Sequence, residues 1–429
     1  MSNEVIFSSI DEYMSLYFSF FRRSEGRKLA KSYVTGLMMD GERKSIEPMS
    51  ERVHASERGM QRLLTEVKWD HERVSKEYRH RMLSETGDSQ GVLVVDDTSF
   101  PKKGIQSVCV SRQYCGALGK VANCQVGVSL TYVGQSVFWP YTMDLYVPKS
   151  WDKFEVPESI LKREKTRMPE EAHFREKWEI ALEQIELANR EGVPHRCVVA
   201  DSWYGNVSEF RRRLDDINER YVVGIYSDTE VFLDSPVFVE PQPNEKRRGR
   251  PRKYPRLIET NPLPFKVSEL GSAVEDDEWE RLELWRDSRG KSLMVEAFSR
   301  RVYPAKGYRK GCRHEEVWLI IERRQKDKRE FELRYYLSNM PQDMPTLEMI
   351  RLVHERFWIE QGYQQLKEEL GLDHHEGRSW IGWHRHVLLV FLAFGYLTLQ
   401  RIHEKKQLIR DTWKQKHQHM KIREKELSS

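Results

Sequence analysis

Arg356, Glu360 and Lys367 place a carboxylate between two cations in the last third of the chain. On one helix, at about 100° per residue, the three fall within an arc of roughly 40°. Leu352, Ile359, Tyr363, Leu366 and Leu370 form an apolar stripe centred roughly 70° away, so the trio borders the buried face. A carboxylate held there could ligate a divalent cation while its neighbours bind phosphates. A solvated i,i+4 ion pair on an ordinary amphipathic helix accounts for the same residues.

Two aspartates far upstream add to this trio. Gly91-Val-Leu-Val-Val-Asp96-Asp97-Thr98 is a continuous apolar run of the kind found in a buried strand, with a carboxylate at its mouth. Cys197-Val-Val-Ala-Asp201-Ser-Trp-Tyr-Gly205 is built the same way. Either alone is common in α/β proteins. Two such strand ends and a late helical Glu supply the three carboxylates that a pair of Mg2+ ions needs, provided the fold brings them together.

The 429 residues allow two or three domains and a sizeable core. The net charge is only +4, so the molecule is no polycation, but its basic residues are clustered. Val387 to Leu399 is apolar but short, as expected for a core helix rather than a membrane span. The N-terminus lacks the order of a signal peptide. Five cysteines without a Cys-x-x-Cys pair fit a reducing cytosol.

Periodicity divides the chain. Residues 1–90 read as helical, over Ile10 to Phe21, Gly26 to Met39, Ser56 to Val67 and a charged stretch to Met82. Arg22, Arg23, Arg27, Lys28 and Lys31 could track a DNA backbone or simply be solvated. From Gly91 the pattern turns to strands, at Ser107 to Tyr114, Asn123 to Val133 and Ser136 to Val147. A helix (Phe174 to Glu191), the Asp201 strand, a helix (Asn206 to Leu214) and a strand (Tyr221 to Tyr226) follow. This order predicts a mixed sheet with helices on its faces, where the Asp96 and Asp201 strands can lie side by side. The implied divisions are a helical 1–90 whose basic cluster could bind DNA, a core carrying the three carboxylates at 91–227 and 346–400, a β-rich insertion at 228–345 and a basic tail at 401–429.

The insertion opens with Glu245-Lys-Arg-Arg-Gly-Arg-Pro-Arg-Lys-Tyr-Pro-Arg256, a Pro-broken basic run unsuited to a core. Arg248, Arg250 and Arg252 fit a sequence-independent phosphate-binding loop, and Arg248-Gly-Arg-Pro251 also resembles an AT-hook that enters the minor groove. Strands follow at Glu316 to Arg323 and Phe331 to Leu337.

Together these residues resemble the DDE-type insertion-sequence transposases of bacteria. The resemblance rests on Val94-Val-Asp96-Asp-Thr-Ser-Phe-Pro-Lys-Lys-Gly104, on Arg112-Gln-Tyr-Cys-Gly116 with Asn123-Cys-Gln-Val-Gly127, and on Val199-Ala-Asp201-Ser-Trp-Tyr-Gly205. Arg356, Glu360 and Lys367 match the Tyr-x2-Arg-x3-Glu-x6-Lys signature of one subgroup, with Val353 at the tyrosine position and Tyr363 as a candidate substitute. The resemblance spans most of residues 20–400. It implies a ribonuclease-H-like α/β core interrupted by the insertion, and Asp96 rather than Asp97 as the metal-binding acid, a choice chemistry alone leaves open.

It further implies that Asp96, Asp201 and Glu360 hold two Mg2+ ions, with Mn2+ as an alternative. DNA phosphates would be held by Arg356, Lys367, Lys102 and Lys103, the last two of which could equally be solvated turn residues. The implied reaction is strand cleavage at element ends through a hairpin, then transfer into target DNA, by a homodimer at the bacterial nucleoid. One tryptophan of the insertion, Trp279, Trp285 or Trp318, would stack on a flipped base, or all three pack in the core. A DNA-binding relic without activity and a structure-selective nuclease are the competing readings. Asp373-His-His375 with His384-Arg-His386 fits no common zinc spacing, and Arg378, His384, Arg385 and His386 are expected instead to extend the DNA-facing surface. The lysine-rich stretch from Lys405 to Lys425 fits a DNA contact or a solvated end. No Gly-rich phosphate loop is present, so nucleotide hydrolysis is not indicated.

Overall fold

Uninterrupted apolar runs, rather than alternating ones, mark strands covered on both faces, and the two strongest lie side by side. In the computed structural model β1 (Val92–Pro101) pairs in parallel with β5 (Cys197–Ala200), from Val92 opposite Cys197 to Val95 opposite Ala200. The structure describes residues 9–134, 137–239, 256–258, 263–286, 290, 292–306, 315–327 and 330–427, the side chains of Arg256, Arg286, Lys326, Asp327, Glu330 and 409–427 excepted. Arg248, Arg250 and Arg252, and most of the basic run around them, lie outside the described residues.

Around β1 and β5 stand β2 (Ser111–Cys115), β3 (Lys120–Gly134), β4 (Val137–Leu145) and β6 (Tyr221–Ile225). β3 is antiparallel to β1, β2 and β4, and β6 is parallel to β5. The resulting order β4-β3-β1-β5-β6, an antiparallel meander followed by two parallel strands, is ribonuclease-H-like.

The later strands are β7 (Glu230–Phe232), β8 (Phe238–Val239), β9 (Arg256–Leu257), β10 (Phe265–Lys266), β11 (Glu280–Arg286), β12 (Ser292–Pro304), β13 (Val317–Asp327) and β14 (Glu330–Ser338). β14 pairs antiparallel with β6, so the inserted strands extend the core sheet instead of forming a separate layer. The sheet runs β10-β7-β12-β13-β14-β6-β5-β1-β3-β2, with β11 on β12 and β4 on β3, twelve strands in all. Growth here satisfies an edge that β6 would otherwise expose.

Among the described residues, the α-helices α1 (Ile10–Ser15), α2 (Ser24–Met38), α3 (Ile46–Arg52), α4 (Glu57–Thr65) and α5 (His71–Thr86) precede the sheet. Ser9, Ser56 and Asp70 cap α1, α4 and α5 by accepting backbone N–H groups. The remainder are α6 (Ile160–Lys165), α7 (Lys177–Arg190), α8 (Ser202–Gly205), α9 (Ser208–Asp216), α10 (Val267–Ala273), α11 (Thr346–His354), α12 (Phe357–Gln364) and α13 (Trp380–Leu427). The 18-residue apolar window of α13 would suffice by length and composition to cross a membrane, but 72% of it is buried inside the molecule, packed on α2, α4, α5 and β4. Cys109, Cys115, Cys124 and Cys197 are buried free thiols.

Strand parity assigns the two faces. Leu93 and Val95 join the larger core with Ile180 and Ile185 of α7 and Leu389 of α13. Val92 and Val94 join the other core with Val199, Ile350, Leu352 and Ile359, under α11 and α12. The helices before Gly91 bury Tyr13, Tyr33 and Tyr78 in the same core as β1 and α7, so they are continuous with the sheet.

Candidate active site

Strand parity sends Asp96 and Asp97 to opposite faces of the sheet. Asp96 continues the row Val92, Val94 and faces α12, where its Oδ2 accepts from Arg356 Nη2 at 3.0 Å. Asp97 points to the opposite face, where α7 presents Lys177, with Nζ at 2.9 Å from its Oδ2. Asp201 follows β5 one residue beyond the last registered pair, Val95 with Ala200, and so lies beside Asp96. Its Oδ1 accepts the N–H groups of Trp203 (2.9 Å) and Tyr204 (3.1 Å), capping α8. The local fold demands small residues: a Cβ on Gly205 would come within 1.9 Å of Gly224 O on β6.

Burial pushes the Asp96 carboxyl up to about 7; Arg356 opposes this, whereas Asp201 and Asp97 add to it. Two carboxylates side by side that repel each other at the mouth of adjacent strands are hard oxygen donors, and this donor set fits a divalent cation. Beneath them Tyr363 OH is 2.6 Å from Ser129 Oγ, and Ser129 is the registered partner of Asp96. The Tyr204 hydroxyl is buried close by with no partner. Val353, at the tyrosine position of the signature, is buried against the apolar face.

The acid-bearing helix departs from the regular one expected. α11 ends at His354, Arg356 occupies the N-cap of α12, and Gln365–Glu369 forms a π-helical turn. Bonds from Trp358 N to Glu355 O and from Ile359 N to Arg356 O tighten the junction, and the π turn loosens the far end, so a uniform 100° step does not hold. Arg356 turns inward to Asp96, with its Nε buried and unpartnered. Lys367 donates to Ser99 O at 3.1 Å beside the Phe100 ring, and burial lowers its pKa. Glu360 is exposed on the rim of a cleft of about 1290 Å³, also lined by Asp201 and Arg356. Among the described residues no group of three or more His, Cys, Asp or Glu is spaced to hold a metal ion.

Lys102 donates to His375 O at 2.6 Å and its pKa is lowered by burial, whereas Lys103 is exposed. The expected DNA-facing run past the acid helix is largely internal. Arg385 is 6% exposed and donates to Leu63 O, Leu64 O and Trp69 O, closing the end of α4. His386 is 1% exposed, stacks on His375 and bonds to Tyr33. These side chains satisfy helix-end carbonyls, a need invisible in linear sequence. Arg378 remains exposed.

The structure separates the three tryptophans. Trp318 donates to Pro341 O at 2.9 Å and packs under Arg301. Trp279 lies against Phe298 and Arg323. Trp285 is 56% exposed and lines the cleft. Ser129, Tyr204 and Lys177 went unnoticed in the sequence because only register and helix placement bring them to the aspartates.

The family described as DDE superfamily endonuclease matches residues 16–291. A curated protein named probable transposase for insertion sequence element IS701, from Microchaete diplosiphon, is 28% identical over 226 residues, which are 52% of this chain and 55% of that one. The chain thus spans about half the length of the relative it matches. Among solved structures, a piggyBac transposase synaptic complex with hairpin DNA gives a TM-score of 0.38 at 11% identity, over 95% of this chain and 75% of that one. The NurA nuclease of Sulfolobus solfataricus gives 0.23 at 11% identity, over 79% and 92%. The fold assignment rests on the strand order and not on these two likenesses.

Proposed function

Because the chain belongs to the DDE superfamily endonuclease family, we propose that it is a DNA transposase that cleaves the ends of an insertion sequence and joins them to target DNA. The observation that carries the reading is the adjacency of Asp96 and Asp201 on neighbouring parallel strands, opposite a helix that brings Arg356 to them and Glu360 to the cleft.

Asp96 and Asp201 would hold divalent cations, Mg2+ or Mn2+, with Glu360 on the cleft rim as the third carboxylate. Such ions supply polarisation of the phosphodiester and a lowered pKa for the attacking hydroxyl or water. The protein's own part is positioning. Asp201 is fixed by two amide N–H bonds, so its second oxygen is presented at a constant angle. Arg356 holds its guanidinium beside Asp96 with the side chain 31% exposed, suited to a non-bridging phosphate oxygen. Lys367 and Lys102 each use one N–H on a backbone carbonyl and retain others for flanking phosphates. Trp285, on the cleft wall, is the tryptophan placed to stack on an unpaired base, worth roughly 1 to 3 kcal/mol. Tyr363, tied to Ser129 beneath Asp96, offers a hydroxyl where Val353 has none. The working unit is a homodimer holding two DNA ends.

The test is Mg2+-dependent cleavage and joining of DNA carrying the flanking element's ends, with Asp96→Asn and Glu360→Gln beside the wild type. Loss of activity by about 10³-fold or more with retained DNA binding is expected. Equal activity in Glu360→Gln would remove that acid from the site. Inactivity of all three folded proteins, with specific end binding, would indicate a DNA-binding relic.

A further inference from the structure

A second polar cluster lies on the wall of the same cleft, away from the aspartates. Glu322 of β13 has a side chain 0% exposed. It accepts from Arg324 Nε at 2.7 Å and Nη2 at 3.1 Å, and from Tyr336 OH at 3.2 Å. His354 Nε2 of α11 is 2.9 Å from Glu322 Oε1 and 3.0 Å from Arg324 Nη2. The cluster therefore locks the inserted strands to the helix that leads into Arg356.

A buried ion pair can serve the fold alone. This one is lopsided in a way the fold does not require. The carboxylate is wholly buried, while the Arg324 side chain is 32% exposed and lines the cleft together with Asp201 and Arg356. Its bonds use Nε and Nη2, and Nη1 has no bond to a described residue, so two N–H groups of a rigid planar fork stand unspent. An arginine held along one edge has little freedom left to lose when its other edge meets an anion. β13 is separated from β1 by β14, β6 and β5, four inter-strand steps of about 4.8 Å, and the registers set Arg324 about four residues further along the strands than Asp96, so the two stand roughly 23 Å apart.

We propose that Arg324, braced by Glu322 and His354, grips a backbone phosphate of a DNA strand that runs from the paired aspartates across the inserted strands, about seven phosphates from the reacting one at 3.4 Å per step. This rests on the cleft being the DNA-binding site. It makes Arg324 a binding residue and Glu322 its positioning residue.

The experiment is equilibrium binding of a labelled random-sequence duplex by the full chain across a salt series. Arg324→Ala is expected to weaken binding about 10-fold and to flatten the salt slope by about 0.9, the value of one phosphate contact. Arg324→Lys is expected to keep the slope and lose affinity, because the charge remains and the fork does not. Glu322→Gln is the sharper arm: removing a negative charge beside DNA should tighten binding by simple electrostatics, whereas loss of bracing predicts severalfold weakening. Unchanged affinity and slope in Arg324→Ala, or tighter binding by Glu322→Gln, would overturn the proposal. If Glu322→Gln fails to fold by circular dichroism, Arg324→Lys decides, and binding equal to wild type overturns it. A wild type that binds no duplex would sink this grip along with the transposase reading. Binding sensitive to Arg324 without any cleavage would sink the reaction and leave the grip standing.

Discussion

Single residues in this chain are placed by partners that lie far away in sequence. Asp96 and Asp97 are chemically identical neighbours, yet one meets Arg356 and the other Lys177, because successive strand residues face opposite layers. Glu322 shows how charge is tolerated in the interior. Burial alone would raise its pKa, but hydrogen bonds from His354 and Arg324 more than offset that and bring it down to about 2. A depressed carboxyl contributes stability that is present above its unfolded pKa, near 4.3, and lost as pH falls towards the folded value. Urea unfolding of wild type and Glu322→Gln should therefore differ most at neutral pH, by on the order of 3 kcal/mol, with the two curves converging between about pH 4.5 and 2. A constant gap across that window would mean that the Glu322 charge is not what the cluster stabilises.

At the scale of elements, the mouth of β5 depends on how closely α8 approaches β6. The Gly205 position leaves no room for a methyl group, since the nearest obstacle is the Gly224 carbonyl and not a movable side chain. Gly205→Ala should displace α8 and with it the N–H groups that fix Asp201. The expected result is a loss of about 2 to 4 kcal/mol in thermal melts and loss of cleavage even in the fraction that remains folded. Normal activity in a variant of normal stability would show that the approach is looser than it stands here. The element carrying Glu360 teaches the opposite lesson. Its residues were recognisable in sequence, but their mutual geometry was not, because a tight junction at Arg356 and a π turn after Gln364 replace uniform helical steps.

For the whole molecule, one core joins the N-terminal helices, the sheet and α13. Removing residues 1–90 would strip α13 of α2, α4 and α5 and expose a long apolar helix. Such a truncation should be aggregation-prone, and the full chain should lose its N-terminal helices and sheet in one calorimetric transition. A soluble, folded 91–429 fragment would show instead that the helical part is an independent unit.

The sequence alone determined the chemistry and the order of the parts. Asp96 and Asp201 stand at the ends of apolar runs that read as buried strands, and the succession of strands and helices around them admits few sheets. These signals are local, so they survive without coordinates. What tertiary structure decided is everything that depends on register and on which layer covers which face. It turned Asp96 and Asp97 to opposite layers, extended the sheet through β14, turned Arg385 and His386 inward and left Trp285 on the cleft wall. It also brought Glu322, Arg324 and His354 together across more than thirty residues of chain. Burial and hydrogen-bond satisfaction are properties of the assembled layers, and no spacing along the chain encodes them.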